Sequence, residues 1–349
     1  MNTLAHLFDT SPNWLSHTLS HTSSVLPETT TQLADGTHIA RIANGVLWLT
    51  PPADRENLNR EALIVSAGVH GNETAPIEVL NGLVSELLAG AWPLACPLLL
   101  IFGNPPAMAA GTRFLDVNMN RLFNGAHGKS EYAGLPEAER ARFIEKVCRE
   151  FAAKHSGLAL SHYDLHTAIR PSEQERFALY PFVPGRLVPS AQCAFLLEAE
   201  VGALLLQHKE STVFSSFSSS QLNAESFTVE LGKVRPFGQN DLQRFSGIEQ
   251  ALQRRFCGAP AQQTPNLEDL TVFEVVHEVL NTGPGFRFHV PDDVSNFTLY
   301  PPGTVIWEDG ESCYRVGAEP EAIVFPNREV PVGQRVGLMV RARSKSQAG

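Results

Sequence analysis

Ala62-Leu63-Ile64-Val65-Ser66-Ala67-Gly68, continued by Val69-His70-Gly71-Asn72-Glu73-Thr74-Ala75-Pro76, is the stretch on which the fold turns. Its first half is short, mostly apolar and closed by glycine, the pattern of a strand covered on both faces. From Thr74 the period changes. Pro76 suits a first helical turn, and Ile77, Leu80, Val84, Leu87 and Leu88 form one apolar stripe ending at Gly90. The segment therefore predicts a strand, a tight turn and a helix, with His70 and Glu73 in the turn. In an open α/β sheet, that turn lies outside the carboxyl end of the strand, where ligands bind.

Working outward, residues 97–102 (PLLLIF) predict a second buried strand, ending at Gly103-Asn104-Pro105-Pro106. Phe143, Ile144, Val147, Cys148 and Phe151 recur at helical spacing and predict a helix over 136–154, stopped by Gly157. Residues 158–165 and 227–231 resume strand character. Strands alternating with helices predict an α/β sheet with parallel pairing. Beyond about Asn266 the texture changes: short apolar segments at 271–280, 286–290, 303–307 and 322–325 alternate with Pro/Gly/Asp turns. The expected organisation is an N-terminal extension (1–45), polar and irregular, a catalytic domain (46–260) and a smaller β-rich C-terminal domain (266–349), with a linker over 258–265. The serine cluster at 214–220 reads as a loop. No internal repeat is evident.

The 349 residues carry 27 Lys+Arg against 37 Asp+Glu, a net charge of −10, with 43% hydrophobic and 18% charged residues. That composition is globular, and two domains are expected from the length. An acidic chain without basic clusters argues against nucleic acid or anionic membrane as partner. No Lys or Arg precedes Arg41, so the basic start of a secretory signal is not seen. The stretch 87–103 is too short and too broken by Gly90, Pro93 and Pro97 to span a bilayer. A soluble, cytoplasmic protein is expected. Cys96, Cys148, Cys193, Cys257 and Cys313 form no CxxC pair and are odd in number, which predicts buried free thiols rather than disulfides or a thiolate metal site. The Lys129-Ser130 pair lacks the first glycine of a phosphate loop, and no GxSxG elbow occurs.

Three further elements carry candidate chemistry. Tyr163-Asp164-Leu165-His166-Thr167 closes a predicted strand whose alternation puts Asp164 and His166 on one face, so the aspartate can support a neighbouring ligand. His162 shares that face, and either histidine alone reads as a satisfied core residue. With His70 and Glu73, His166 makes a His₂Glu set with a free fourth position, the donor set of catalytic zinc in carboxypeptidase-type sites. Hydrolysis there needs a carboxylate base, and Glu230 stands within the otherwise apolar strand 227–231 (FTVEL). Lastly, Arg113-Phe114-Leu115-Asp116-Val117-Asn118-Met119-Asn120-Arg121 offers two arginines and two amides that can grip a carboxylate or a developing oxyanion. Arg170, Lys233 and Arg235 follow the catalytic strands and can add positive charge.

The combination of 68–76, Asn104-Pro105, Arg113, Asn120-Arg121, Asp164-Leu165-His166 and Val229-Glu230-Leu231-Gly232, in that order, resembles the succinylglutamate desuccinylase/aspartoacylase family of zinc hydrolases. The segments 164–170 (DLHTAIR) and 226–233 (SFTVELGK) look more like its desuccinylases. The resemblance implies an α/β, zinc-carboxypeptidase-like mixed sheet flanked by helices, with the β-rich domain appended. It implies one Zn²⁺ per subunit on His70, Glu73 and His166, with Glu230 as the base that activates water and later protonates the leaving amine. Arg113 would polarise the amide carbonyl, and Asn120 and Arg121 would bind a substrate carboxylate. The implied reaction is hydrolysis of N-succinyl-L-glutamate, a small anionic acyl amino acid, to succinate and L-glutamate, the last step of arginine breakdown through succinylated intermediates. Asn118 departs from the aspartoacylase pattern, which has an acid there, and no arginine stands in the serine-rich stretch before Glu230. Acetylaspartate is accordingly less expected. Another acyl amino acid deacylase such as an aspartoacylase, a carboxypeptidase and a non-hydrolytic metal-binding member of the fold remain alternatives; homo-oligomerisation is left open.

Overall fold

The computed structural model describes residues 7–9, 11–22, 26–55, 60–261 and 264–343. Met1 to His6 and other parts of the expected extension, Gln262 and Gln263 of the expected linker, and 344–349 of the expected C-terminal domain lie outside these.

Strands β1 (Thr29–Gln32), β2 (His38–Ala43), β3 (Val46–Thr50), β4 (Glu61–Ala67), β5 (Leu98–Phe102), β6 (Ala159–Ala168), β7 (Phe177–Tyr180), β8 (Ala203–Leu206) and β9 (Glu225–Lys233) precede a β-rich C-terminal part. The latter holds β10 (Thr271–Leu280), β11 (Arg287–Phe288), β12 (Thr298–Tyr300), β13 (Val305–Asp309), β14 (Ser312–Arg315), β15 (Glu321–Val324) and β16 (Arg335–Ala342). The helices are α1 (Trp14–Ser20), α2 (Thr74–Leu88), α3 (Pro105–Ala110), α4 (Pro136–Lys154), α5 (Ser190–Glu198), α6 (Phe214–Gln221) and α7 (Ser246–Phe256).

Thirteen strands form one sheet in the order β1-β2-β3-β5-β4-β6-β9-β7-β8-β10-β16-β15-β12, and β11-β13-β14 form a second. The middle of the large sheet, β5-β4-β6-β9, is parallel as expected. It becomes antiparallel at β3–β5 and β7–β9, which makes the sheet mixed. Alternation along β4 explains why its run is apolar on both faces. Leu63, Val65 and Ala67 pack with Ile77, Leu80 and Val84 of α2 and with Ile248 and Leu252 of α7. Ala62 and Ile64 face the opposite layer, where Ile144, Val147 and Phe151 of α4 meet Phe214 and Phe217 of α6. Each such Val, Leu, Ile or Phe side chain contributes roughly 1.5–3 kcal/mol on burial, so the two covered faces hold the central strands in register.

The structure departs from the sequence reading at three places. The expected irregular extension holds helix α1 at 14–20 and strands β1 and β2 at 29–32 and 38–43, which extend the sheet beyond β3. Residues 214–220 are not a loop, because they lie in helix α6. And burial of the thiols holds for Cys96 and Cys148 only: all five cysteines are free, Cys193 and Cys257 are half-buried, and Cys313 is exposed. Strands β3, β7, β8, β12, β14 and β16 add to those expected. Among the described residues no helix is long and apolar enough to cross a membrane.

Candidate active site

Parallel pairing places the ends of β4, β6 and β9 side by side. Ala67 lies opposite Leu165, and His166 opposite Glu230. Three residues past Ala67 the chain reaches His70, and Glu73 stands just before α2. Two glycines make the turn between them possible. Gly68 has φ +68°, a conformation costly to residues with a Cβ. A Cβ on Gly71 would lie 2.2 Å from the Ala107 carbonyl carbon of α3. The Gly71 amide instead donates to the Arg113 carbonyl at 3.1 Å, which ties the arginine segment to the turn.

His70, Glu73 and His166 are all buried, and one donor atom from each lies within 4.8 Å of the others. Nδ1 of His70 lies 2.9 Å from Glu73 Oε1, and Nδ1 of His166 lies 2.7 Å from Glu73 Oε2. The other ring nitrogens are held from behind. Nε2 of His70 meets Asn118 Oδ1 at 3.0 Å, and Nε2 of His166 meets Asp164 Oδ2 at 2.9 Å. Because an amide oxygen and a carboxylate accept, both Nε2 atoms donate a proton to them, and both Nδ1 atoms face the shared point, where a bound cation would take their lone pairs. Asp164 is itself held by Ser66 Oγ at 2.6 Å. Asn118, a departure from the expected pattern, thus does the work an acid would do there.

The electrostatics match a site built for a cation. Burial would raise the Glu73 pKa, but His166 and His70 outweigh it and hold the carboxyl well below the usual range. Burial would lower His166, but Asp164 and Glu73 outweigh it and raise it well above the usual imidazole value. His70 is lowered by burial. A divalent cation at the shared point would balance the Glu73 charge that His166 now balances, and the donor set of two imidazoles and one carboxylate suits zinc. His162 is fully buried among Ser66 and Ser218, its ring nitrogens at 2.9 and 2.7 Å from their hydroxyls. Burial lowers its pKa to about 4, so it stays neutral and is the satisfied core histidine of the pair.

Glu230 faces the same point. Its Oε2 is enclosed and has no hydrogen-bond partner among the described residues. Burial, and then the charge of Glu73, push its pKa up to about 7. Such a group can take and release a proton near neutrality. The Arg113 guanidinium borders the cluster, with Nη1 2.6 Å from Glu73 Oε1. Asn120 is oriented by Phe214, whose amide donates to Asn120 Oδ1 at 2.9 Å, and the Asn120 side-chain amide hydrogens meet no acceptor among the described residues. Arg121 Nη1 donates to the Asn120 carbonyl at 2.8 Å.

His70, Arg113, Asn120, Arg121, His166 and Glu230 line one cavity of about 580 Å³, with Glu73 buried beneath them. The arginines expected to follow the catalytic strands do not join it. Arg170 donates to the carbonyls of Asp292 and Val294, and Lys233 and Arg235 line a separate depression. The wall opposite the cluster comes from the C-terminal part, including Glu278, Phe325, Asn327 and Arg335. Sequence reasoning did not find these residues; nothing in their local pattern separates them from other surface positions.

Residues 59–256 match the succinylglutamate desuccinylase/aspartoacylase catalytic domain, and residues 268–343 match the barrel-sandwich hybrid domain of the same family. The chain belongs to this family. A protein of Shewanella piezotolerans named succinylglutamate desuccinylase is 39% identical over 98% of this chain and 99% of its own. The crystal structure of the succinylglutamate desuccinylase from Chromobacterium violaceum superposes with a TM-score of 0.82 at 38% identity, covering 96% of this chain and 98% of that one. That of the Vibrio cholerae succinylglutamate desuccinylase gives 0.86 at 30% identity, with 96% of each chain covered. In this family, therefore, the desuccinylase branch carries the likeness over nearly the full length.

Proposed function

We propose that this chain is a zinc-dependent amidohydrolase that cleaves N-succinyl-L-glutamate to succinate and L-glutamate, the step that ends arginine breakdown through succinylated intermediates. The observation that carries the hydrolytic part is the convergence of His70, Glu73 and His166 on one point beside Glu230, whose Oε2 is enclosed and unpartnered. Full-length likeness to desuccinylases supports the substrate.

His70, Glu73 and His166 would hold the zinc ion. When bound it supplies Lewis acidity, making water easier to deprotonate and the amide carbonyl easier to attack. Glu230 accepts the proton of the attacking water. In the second half of the reaction it gives that proton to the departing glutamate nitrogen. Arg113 donates hydrogen bonds to the carbonyl oxygen as negative charge develops there. Asn120, through its side-chain amide hydrogens, and Arg121 hold a substrate carboxylate and so fix the amide in place. Asn118 and Asp164 keep the histidine rings from turning away. The wall from the C-terminal part leaves a cavity for a small acyl amino acid rather than a groove for a peptide.

Hydrolysis of N-succinyl-L-glutamate and N-acetyl-L-aspartate, measured side by side, tests the substrate. The expected result is a kcat/KM for the succinyl compound higher by roughly 10²-fold or more, since buried polar groups left unpaired by the smaller anion cost that much. Preference for acetylaspartate would reassign the chain to the aspartoacylase branch.

A further inference from the structure

The substrate of the proposed reaction carries three carboxylates, yet two of the four cations lining the cavity are already engaged by acids. Arg113 is paired with Glu73. Lys209 is paired with Glu278, its Nζ at 2.7 and 2.6 Å from the two oxygens. Arg121 donates to a main-chain carbonyl and faces no carboxylate within ion-pair distance among the described residues. That leaves Arg335, at the first position of β16 in the C-terminal part. It is half-buried, lines the cavity, and makes no side-chain hydrogen bond or ion pair among the described residues. Glu278 is near enough to favour its charge, but that carboxylate is bound by Lys209. The facing side of the cavity, from α6, offers Ser215 and no cation.

A guanidinium partly removed from water and left without an anion is an unfavourable arrangement unless a ligand completes it. The neighbourhood makes the deficit larger. After desolvation, the charge of Arg335 is the leading influence that lowers the Arg121 pKa, so the two cations face one space, and neither forms an ion pair with an acid among the described residues. A planar fork of donors is suited to a carboxylate held bidentately.

We infer that Arg335 binds a second carboxylate of the acyl amino acid, beyond the one held by Asn120 and Arg121, and that the C-terminal part thereby sets specificity for a polyanionic substrate. This rests on the proposed reading of the cavity as an acyl amino acid site. Arg335 is a specificity residue that meets substrate away from the scissile bond, and it takes no part in proton transfer.

The test is a cycle of substrate and side-chain deletions. N-Succinyl-L-glutamate is compared with N-butyryl-L-glutamate, N-succinyl-L-glutamine and N-succinyl-L-isoglutamine, each lacking one carboxylate, in the zinc-loaded wild type and in Arg335→Met. The variant is expected to lose roughly 10²-fold in kcat/KM on the parent and nothing further on the one analogue whose missing group Arg335 reads. The penalties for the other two analogues stay as in the wild type, and Arg335→Lys recovers part of the loss. Three unchanged penalties in Arg335→Met would overturn the inference. Binding of succinate and of L-glutamate to the resting zinc-loaded protein gives a readout independent of turnover. Weakening of one of them by tenfold or more in Arg335→Met supports the inference, and unchanged affinity for both overturns it. Wild-type protein that turns over none of the four compounds would sink the proposed reaction, while the binding comparison would still decide the role of Arg335. Zinc content and circular dichroism equal to wild type establish that the variant is folded.

Discussion

Glu230 concentrates the account at the level of a single residue. It is an acid between buried Val229 and Leu231 in β9, and its enclosed Oε2 has no hydrogen-bond partner among the described residues. Replacing it by glutamine keeps its shape and removes its basicity. Turnover is expected to fall by about 10³-fold or more, with zinc bound at wild-type stoichiometry; measured kcat within tenfold of wild type would remove Glu230 from its role. The same residue has a stability signature in the metal-free protein. The folded chain holds the Glu230 proton up to about 7, whereas the ordinary carboxyl releases it near 4.5. The folded state therefore binds the extra proton between those values, and stability falls as pH rises through that window. Metal-free Glu230→Gln is thus more stable than metal-free wild type at pH 8, by roughly 1–3 kcal/mol, and the advantage disappears toward pH 4. Thermal melts of both proteins across this range check it. The motif-bearing residues His70, Glu73, His166 and Glu230 were legible because their chemistry is rare in their settings. Arg335 was not, since an arginine at a strand start after a turn is an ordinary surface pattern until the fold brings it to the cavity.

At the level of elements, the turn between β4 and α2 carries the most information per residue. Its glycines, its proline and its apolar flanks specify strand, turn and helix locally, and the structure has all three where the pattern put them. The close approach at Gly71 makes a sharp prediction. A methyl group there would drive against the α3 backbone and shift His70 and the Arg113 segment together. Gly71→Ala is expected to bind zinc at least about tenfold more weakly than wild type, with little change in helix content. Metal titration with equal affinity in the two proteins would contradict this. Helix α6 shows why other elements were not legible. Its sequence, FSSFSSSQ, has weak intrinsic helix preference. Tertiary contacts override it: Phe214 and Phe217 are fully buried, Ser215 meets Thr228 at 2.7 Å, and Ser218 meets both His162 and Ser226. Serines that look like a solvated loop in one dimension are the polar lining of a buried interface in three. The short strands β1 and β2 failed for a related reason, since they gain their structure by adding to the edge of a sheet.

On the scale of the whole molecule, a net charge of −10 and a tri-anionic substrate stand in apparent conflict. Long-range repulsion is real but screened within about 10 Å at ordinary salt, and local charge decides binding. Arg113, Arg121 and Arg335 gather at one cavity, drawn from both the catalytic and the C-terminal parts. The sheet makes this gathering possible, because β10 pairs with β8 and carries β16 alongside the catalytic strands. Composition bears only on long-range charge; the topology is what brings three arginines to one cavity. The most direct test measures metal content and hydrolysis of N-succinyl-L-glutamate on one sample, as purified, after chelation and after zinc is restored. One zinc per chain is expected, with loss of hydrolysis when the metal is removed and its return with zinc. Undiminished hydrolysis by protein shown to be metal-free would contradict it.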